Sequence, residues 1–235
     1  MTNHVAAVKQ FLKDRSTNEG LITGYPFVTI SREAGAGGHT VAREILRSLE
    51  RKYSFEAAQD WEVFDQKMCA LLADNPEAGA TFEALVAEEY HSEIRDFIGD
   101  LVSGQPRQYK LYKRIFEVAR FLANIGKVVL VGRAGAFVSA DLPYGIHIRL
   151  VAREEVRIAR MAKMLDVKEA EARKVVRSQD RSRTRMVQDY FDANVADPVH
   201  YHAVFNTERI PVAQIADMVT DLVGEQIKLM RSRRK

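Results

Sequence analysis

Two rhythms of apolar residues alternate along this chain. Short segments rich in apolar and β-branched residues at Phe27–Ile30, from Lys127 to Val131 and at Ile146–Val151 read as buried strands. A shorter strand is expected at His202–Phe205, and a strand end at Val63-Phe64 just before Asp65. Between them apolar positions recur at helical spacing. Val41, Ile45, Leu46 and Leu49 form one such stripe, and helices are predicted over Arg153–Leu165, Lys168–Tyr190 and Val212–Leu229. Residues 66–125 read as mostly helical, broken near Asn75-Pro76 and Gly104-Gln105-Pro106. At the start, Val5, Val8, Phe11 and Leu12 mark a short amphipathic helix. Mostly apolar strands that alternate with helices predict a parallel sheet covered on both faces, a three-layer α/β domain. The predicted organisation is an N-terminal helix and connector over 1–24, then a single domain over 25–235.

Composition narrows the class. At 235 residues, with 46% apolar and 29% charged, the chain is an ordinary globular protein and not a disordered or fibrous one. Cys69 is the only cysteine, which excludes disulfides within the chain and a cysteine-based zinc site, and fits a reducing compartment. No apolar run approaches the roughly 20 residues needed to span a bilayer, and the N-terminus lacks the pattern of a signal peptide. A cytoplasmic protein with no membrane partner is the expectation. A net charge of +3, from 35 basic and 32 acidic residues, makes no case for nucleic acid. The basic tail (Arg231, Arg233, Arg234, Lys235) reads as a solvated end. Oligomeric state is left open.

The chemistry concentrates after the first strand. Gly35, Gly37 and Gly38 fall within four residues, just past Ile30 and just before a helix. Glycines allow positive φ and close backbone approach, successive amides in such a loop form an anion nest, and the following helix adds free N–H groups and a positive dipole end. The residue pattern therefore points to a phosphate site, with a ligand-free tight turn as the alternative. His39 and Thr40 could add donors, and the Thr40 hydroxyl is placed to meet Mg²⁺.

The segment Val28-Thr29-Ile30-Ser31-Arg32-Glu33-Ala34-Gly35-Ala36-Gly37-Gly38-His39-Thr40 resembles the opening of the cytidylate kinase-like family, a strand followed by S-R-E-x-G-x-G-G. The resemblance continues through Val131-Gly132-Arg133, His147 to Arg160, Gln179 to Arg185, and His202 to Arg209. It implies a P-loop fold with a helical monophosphate-binding insertion (60–125) and a helical lid (160–190). It also implies ATP and Mg²⁺ as cofactors and phosphoryl transfer to a nucleoside monophosphate, CMP or dCMP. The loop residues Arg32, Gly35, Gly37, Gly38, His39 and Thr40 would bind the nucleotide. Asp65, Arg107 and Arg133 would bind the acceptor, and Arg157, Arg181 and Arg185 would surround the transferring group. Arg181 and Arg185 are spaced i, i+4 and share a helix face, with Arg183 on another.

Two positions depart from a working kinase pattern. Against G-x-x-x-x-G-K-[ST], Gly38 stands at the lysine and Arg32 at the first glycine. The cation that would neutralise the β- and γ-phosphates must come from Arg32 or from a lid arginine. Where bacterial cytidylate kinases carry D-G-R-D, this chain reads Val131-Gly132-Arg133-Ala134. A valine accepts no hydrogen bond from an exocyclic amine, so these residues give cytosine no anchor. A nucleotide-binding sensor with little turnover is the rival reading.

Overall fold

The computed structural model describes residues 23–54, 56–65, 107–132 and 134–233, with isolated positions at 10, 16–17, 20–21 and 69. The predicted first helix, and the part of the helical insertion between 70 and 106, lie outside the described residues. Five strands form one parallel sheet: β1 (Phe27–Arg32), β2 (Glu62–Asp65), β3 (Val128–Val131), β4 (Gly145–Val151) and β5 (Ala203–Asn206), in the order β2-β3-β1-β4-β5. Among the described residues six helices connect or flank them: α1 (Gly38–Lys52), α2 (Arg107–Ile125), the short α3 (Gly135–Val138), α4 (Glu154–Leu165), α5 (Glu169–Phe191) and α6 (Val212–Arg233).

The three inner strands are buried on both faces, which is why most of their residues are apolar, and the polar Thr29, His147 and Arg149 among them are buried too. Val28, Ile30, Val129, Ile146, Ile148 and Leu150 face α1 and α6. Phe27, Phe64, Val128 and Leu130 face α2 and the end of α5, where Tyr190 meets Phe116. Each such side chain contributes about 1.5–3 kcal/mol by leaving water. α1 and α6 lie side by side along a polar seam, where Ser48 and Arg51 both donate to Asp217, at 2.6 and 2.8 Å, and Lys52 pairs with Asp221. Their apolar edge closes at Gly224, where a Cβ would lie 2.3 Å from the Tyr53 hydroxyl.

β1 is the central strand, and its register fixes the site. Ser31 and Arg32 pair with Arg149 and Leu150 of β4, and Ile30 pairs with Val131 of β3. All five strands therefore deliver their carboxyl ends to one edge, where ligands of such sheets bind. Lower on β4 sits the buried imidazole of His147. His147 Nδ1 lies 2.8 Å from Thr29 Oγ1, and its main-chain amide donates to His202 Nδ1 at 2.9 Å. Burial, with a smaller contribution from His202, pushes the His147 pKa down to about 4.

A histidine that is neutral when folded but titrates near 6.5 when unfolded favours the unfolded state in acid. The stability held above pH 6.5 should fall as the pH drops from 6.5 towards 4, by about 3 kcal/mol. Denaturant melts across that range check this. His147→Phe, which removes the titrating group, is expected to flatten the curve.

Candidate functional site: the glycine loop and its cleft

The loop between β1 and α1 turns on two glycines. Gly35 has φ +79° and Gly37 φ +87°, conformations that L side chains rarely adopt. They differ in surroundings. A Cβ on Gly35 would lie 2.5 Å from the Arg157 carbonyl oxygen, whereas a Cβ on Gly37 would meet nothing within 4 Å. Gly35 is thus a packing requirement, and Gly37 leaves open space above the loop.

The amides divide in the same way. Ala34 N–H donates to Asp180 Oδ1 at 2.7 Å, and Ala36 N–H to the Glu33 carbonyl at 3.1 Å. Val41 is the first helical amide to find a carbonyl, that of Gly37 at 3.0 Å. Among the described residues, the amides of Gly35, Gly37, Gly38, His39 and Thr40 donate to no protein acceptor, and no side chain caps the helix. The first turn of a helix always leaves such donors, and its dipole adds a fractional positive charge there. These residues line a cleft of about 900 Å³ between the loop, the start of α1, and helices α4 and α5.

Arg157 holds the loop in this shape. It is 7% exposed and spends its donors on protein. Nε donates to the Ala152 carbonyl at 2.9 Å and lies 3.2 Å from Glu33 Oε2. Nη1 donates to the Ala34 carbonyl at 3.0 Å and to Asp180 Oδ2 at 2.7 Å. Glu33 also takes the Ala152 amide at 3.1 Å. Of the arginines expected around the transferring phosphoryl group, Arg157 sits beneath the loop, while Arg181 and Arg185 stand exposed on α5 outside the lining of this cleft.

The arginine of α5 that does line the cleft is Arg183. It donates to Asp180 Oδ1 at 3.2 Å and to Gln179 Oε1 at 3.0 Å. Burial lowers its pKa from the ordinary arginine value. Asp180 opposes that shift, and Arg149 and Arg157 add to it. A guanidinium still keeps its proton. The sequence signal for Arg183 was available. It lies seven residues past Val176 and four before Val187, both buried, so it shares their inward stripe. Arg43 and Arg160 also line the cleft, and Arg160 is fixed by two donations to Thr207, both 2.9 Å.

Arg32 and Gly132 pack against each other. A Cβ on Gly132 would overlap Arg32 Nη1 at 1.9 Å, so the guanidinium lies on the bare backbone that follows β3. The Arg32 stem also runs within 3.3 Å of a Cβ on Gly38, which places its charge beside the loop position where a P-loop lysine would stand. His39 and Asp65, named separately from sequence, come together, with Nε2 and Oδ2 3.1 Å apart. Arg133 and the Arg107 side chain lie outside the described residues.

A five-stranded parallel sheet of this order, with a glycine loop leading from its central strand into a helix, defines an α/β protein of P-loop kinase type. The model of the cytidylate kinase-like family matches residues 27–209, most of the chain, and the protein belongs to that family. No curated relative matches. Among solved structures, an uncharacterized protein from Eubacterium ventriosum is similar at TM-score 0.65 and 20% identity, covering 86% of this chain and 99% of that one. A shikimate kinase from Bacteroides thetaiotaomicron is similar at TM-score 0.47 and 10% identity, over 85% of this chain and 98% of that one.

The two loop glycines should respond differently to alanine. Gly37→Ala meets only the left-handed backbone cost, about 1–2 kcal/mol. Gly35→Ala adds a collision with the Arg157 backbone and is expected to melt well below Gly37→Ala in thermal denaturation. Arg157→Met leaves Glu33 and Asp180 without their shared cation and should cost about 2–4 kcal/mol in the same measurement.

Proposed function

We propose that this chain transfers the γ-phosphoryl group of ATP to a nucleoside monophosphate, CMP or dCMP being the acceptor that the family resemblance names. The observation that carries the reading is the row of uncommitted amides from Gly37 to Thr40, opening on a cleft that Arg32, Arg43, Arg160 and Arg183 line. Phosphoryl transfer demands position and positive charge more than covalent chemistry, and this site is built from those two things.

In this reading the amides of Gly37, Gly38, His39 and Thr40 take the inner phosphates of the donor. Arg32 supplies the cation that a lysine supplies elsewhere, as a planar fork instead of a point charge. The Thr40 hydroxyl and the Asp65 carboxylate are hard oxygen donors on neighbouring elements and would hold Mg²⁺, which neutralises phosphate charge when bound. Arg183 reaches the cleft as it stands. Arg181 and Arg185 would join it only through a movement of α5. Arg107 and Arg133 are kept as binders of the acceptor phosphate. The acceptor phosphate attacks the γ-phosphorus directly, so no side chain is needed as nucleophile.

One observation favours a second reading, a nucleotide sensor with little turnover. Among the described residues, no lysine lines the cleft.

A coupled assay with ATP, Mg²⁺ and a panel of nucleoside monophosphates separates the two. Turnover with a pyrimidine monophosphate is expected, and Arg32→Met should lower kcat by about 10²-fold, as removal of one preorganised donor does. Tight ADP binding with no turnover on any acceptor would establish the sensor instead.

A further inference from the structure

The middle of α5 is held differently from its ends. Ala172 and Val176 pack with Ala34, Ile158 and Met161, while Val187 and Tyr190 join the core that α2 covers. Between Val176 and Val187 no residue of α5 is buried. That stretch supplies the cleft with Gln179, Ser182, Arg183 and Met186. Its charges are one-sided, with Arg177, Arg181, Arg183 and Arg185 against a single carboxylate, Asp180. Among the described residues, every hydrogen bond that runs from 178–186 to another element ends on that carboxylate.

Asp180 divides its two oxygens. Oδ2 accepts from Arg157 Nη1 at 2.7 Å. Oδ1 accepts from two donors, the Ala34 amide at 2.7 Å and Arg183 Nη1 at 3.2 Å. One atom thus touches both the corner of the glycine loop and an arginine of the cleft. Gln179 Oε1 takes Arg183 Nη2 at 3.0 Å, but Gln179 stands on the same helix and ties Arg183 to nothing beyond α5. The neighbouring cations oppose this placement. Arg149, buried and donating to Ser31 Oγ at 3.0 Å, and Arg157 both repel the Arg183 guanidinium. Like charges shielded from water move apart unless a carboxylate holds them, and Asp180 is that carboxylate.

We propose that Asp180 is a positioning residue whose carboxylate fixes Arg183 against the glycine loop and so sets the spacing between the loop amides and the arginine of the cleft. Asp180 lies outside the lining of the cleft and acts through Arg183. The purpose of the device rests on the phosphoryl-transfer reading. Phosphates on the amides of Gly37 to Thr40 and a γ-phosphoryl group under Arg183 need one fixed spacing, because transition-state stabilisation depends on donors already in place. Asparagine cannot substitute. Its oxygen serves either the Oδ1 side or the Oδ2 side, and its NH₂ group then faces a donor.

Two measurements test this. NMR of the ligand-free full chain reads the placement without any nucleotide. The Arg183 guanidinium should rotate slowly in wild type and at least about tenfold faster in Asp180→Asn, as loss of a hydrogen bond to a charged group implies. An equal rate in the two proteins overturns the proposal. Calorimetry with ATP and with ADP, each with Mg²⁺ and without an acceptor, reads the consequence. Wild type should prefer ATP. Asp180→Asn and Arg183→Met should each lower that preference about tenfold, and the double variant should lower it no further than Arg183→Met alone. A merely structural Asp180 would lower the thermal melt, weaken both nucleotides alike and leave the preference for ATP intact. That result, or losses that add in the double variant, overturns the proposal. Should Asp180→Asn not fold, wild type decides: ATP should shift the Arg183 Nε–H and the Ala34 amide together, and ATP binding that leaves Ala34 unmoved overturns it. A wild type that binds neither nucleotide sinks the donor-nucleotide reading, while slow Arg183 rotation released by Asp180→Asn still supports the placement.

Discussion

Arg157 joins three segments that are far apart in sequence. It reaches the end of β4 through the Ala152 carbonyl, the glycine loop through Ala34 and Glu33, and α5 through Asp180. Asp180 returns a bond to the loop by accepting from the Ala34 amide. The corner of the loop is thus fixed by charge-assisted bonds in a site nearly closed to water, where they are stronger than on the surface. Gly35 is the steric counterpart of this clamp, because only a residue without Cβ lets the loop lie against the Arg157 backbone. With the corner fixed, the residues from Gly37 onward, whose amides have no protein acceptor among the described residues, stay in the wall of the cleft.

A preorganised row of dipoles changes what the missing lysine means. The ammonium of a usual P-loop adds charge to an already oriented cradle. Here the orientation is kept and the charge is redistributed. Arg32 lies over Gly132 beside the vacant lysine position, and Arg183 and Arg160 stand on the facing helices. Guanidiniums in fixed places recognise phosphate oxygens in pairs, which favours one phosphate geometry over others. The same surroundings leave positions 131 and 132 without an anchor for cytosine. Val131 belongs to the apolar core under α1, and Gly132 is occupied by the Arg32 guanidinium.

Much of the fold was legible in the sequence, because apolar strands and amphipathic helices obey simple periods. The strand read from Lys127 begins one residue later, since Lys127 takes a left-handed turn with φ 55°. The last helix runs on to Arg233, past the final apolar position, where propensity and not burial sustains it. The glycine loop was legible because its spacing is chemical. The side chains around it were less so. Arg157 looks from sequence like one more arginine on a charged helix, and its burial depends on the meeting of β4, α5 and the loop, which no local pattern encodes. Arg183 could have been found from the stripe of Val176 and Val187. Glu33 and Arg149 carry no local signal, because each acquires its role from partners more than 100 positions away.

The central claim is that main-chain amides without an ammonium partner hold the donor phosphates. Amide-resolved NMR of the wild-type chain titrated with ADP tests it most directly. Large shifts confined to the amides of Gly35, Gly37, Gly38, His39 and Thr40, with Ala34 and Ala36 moving little because their protons are already bonded, are the predicted result. Saturable ADP binding that leaves those five amides in place and moves residues elsewhere would contradict it.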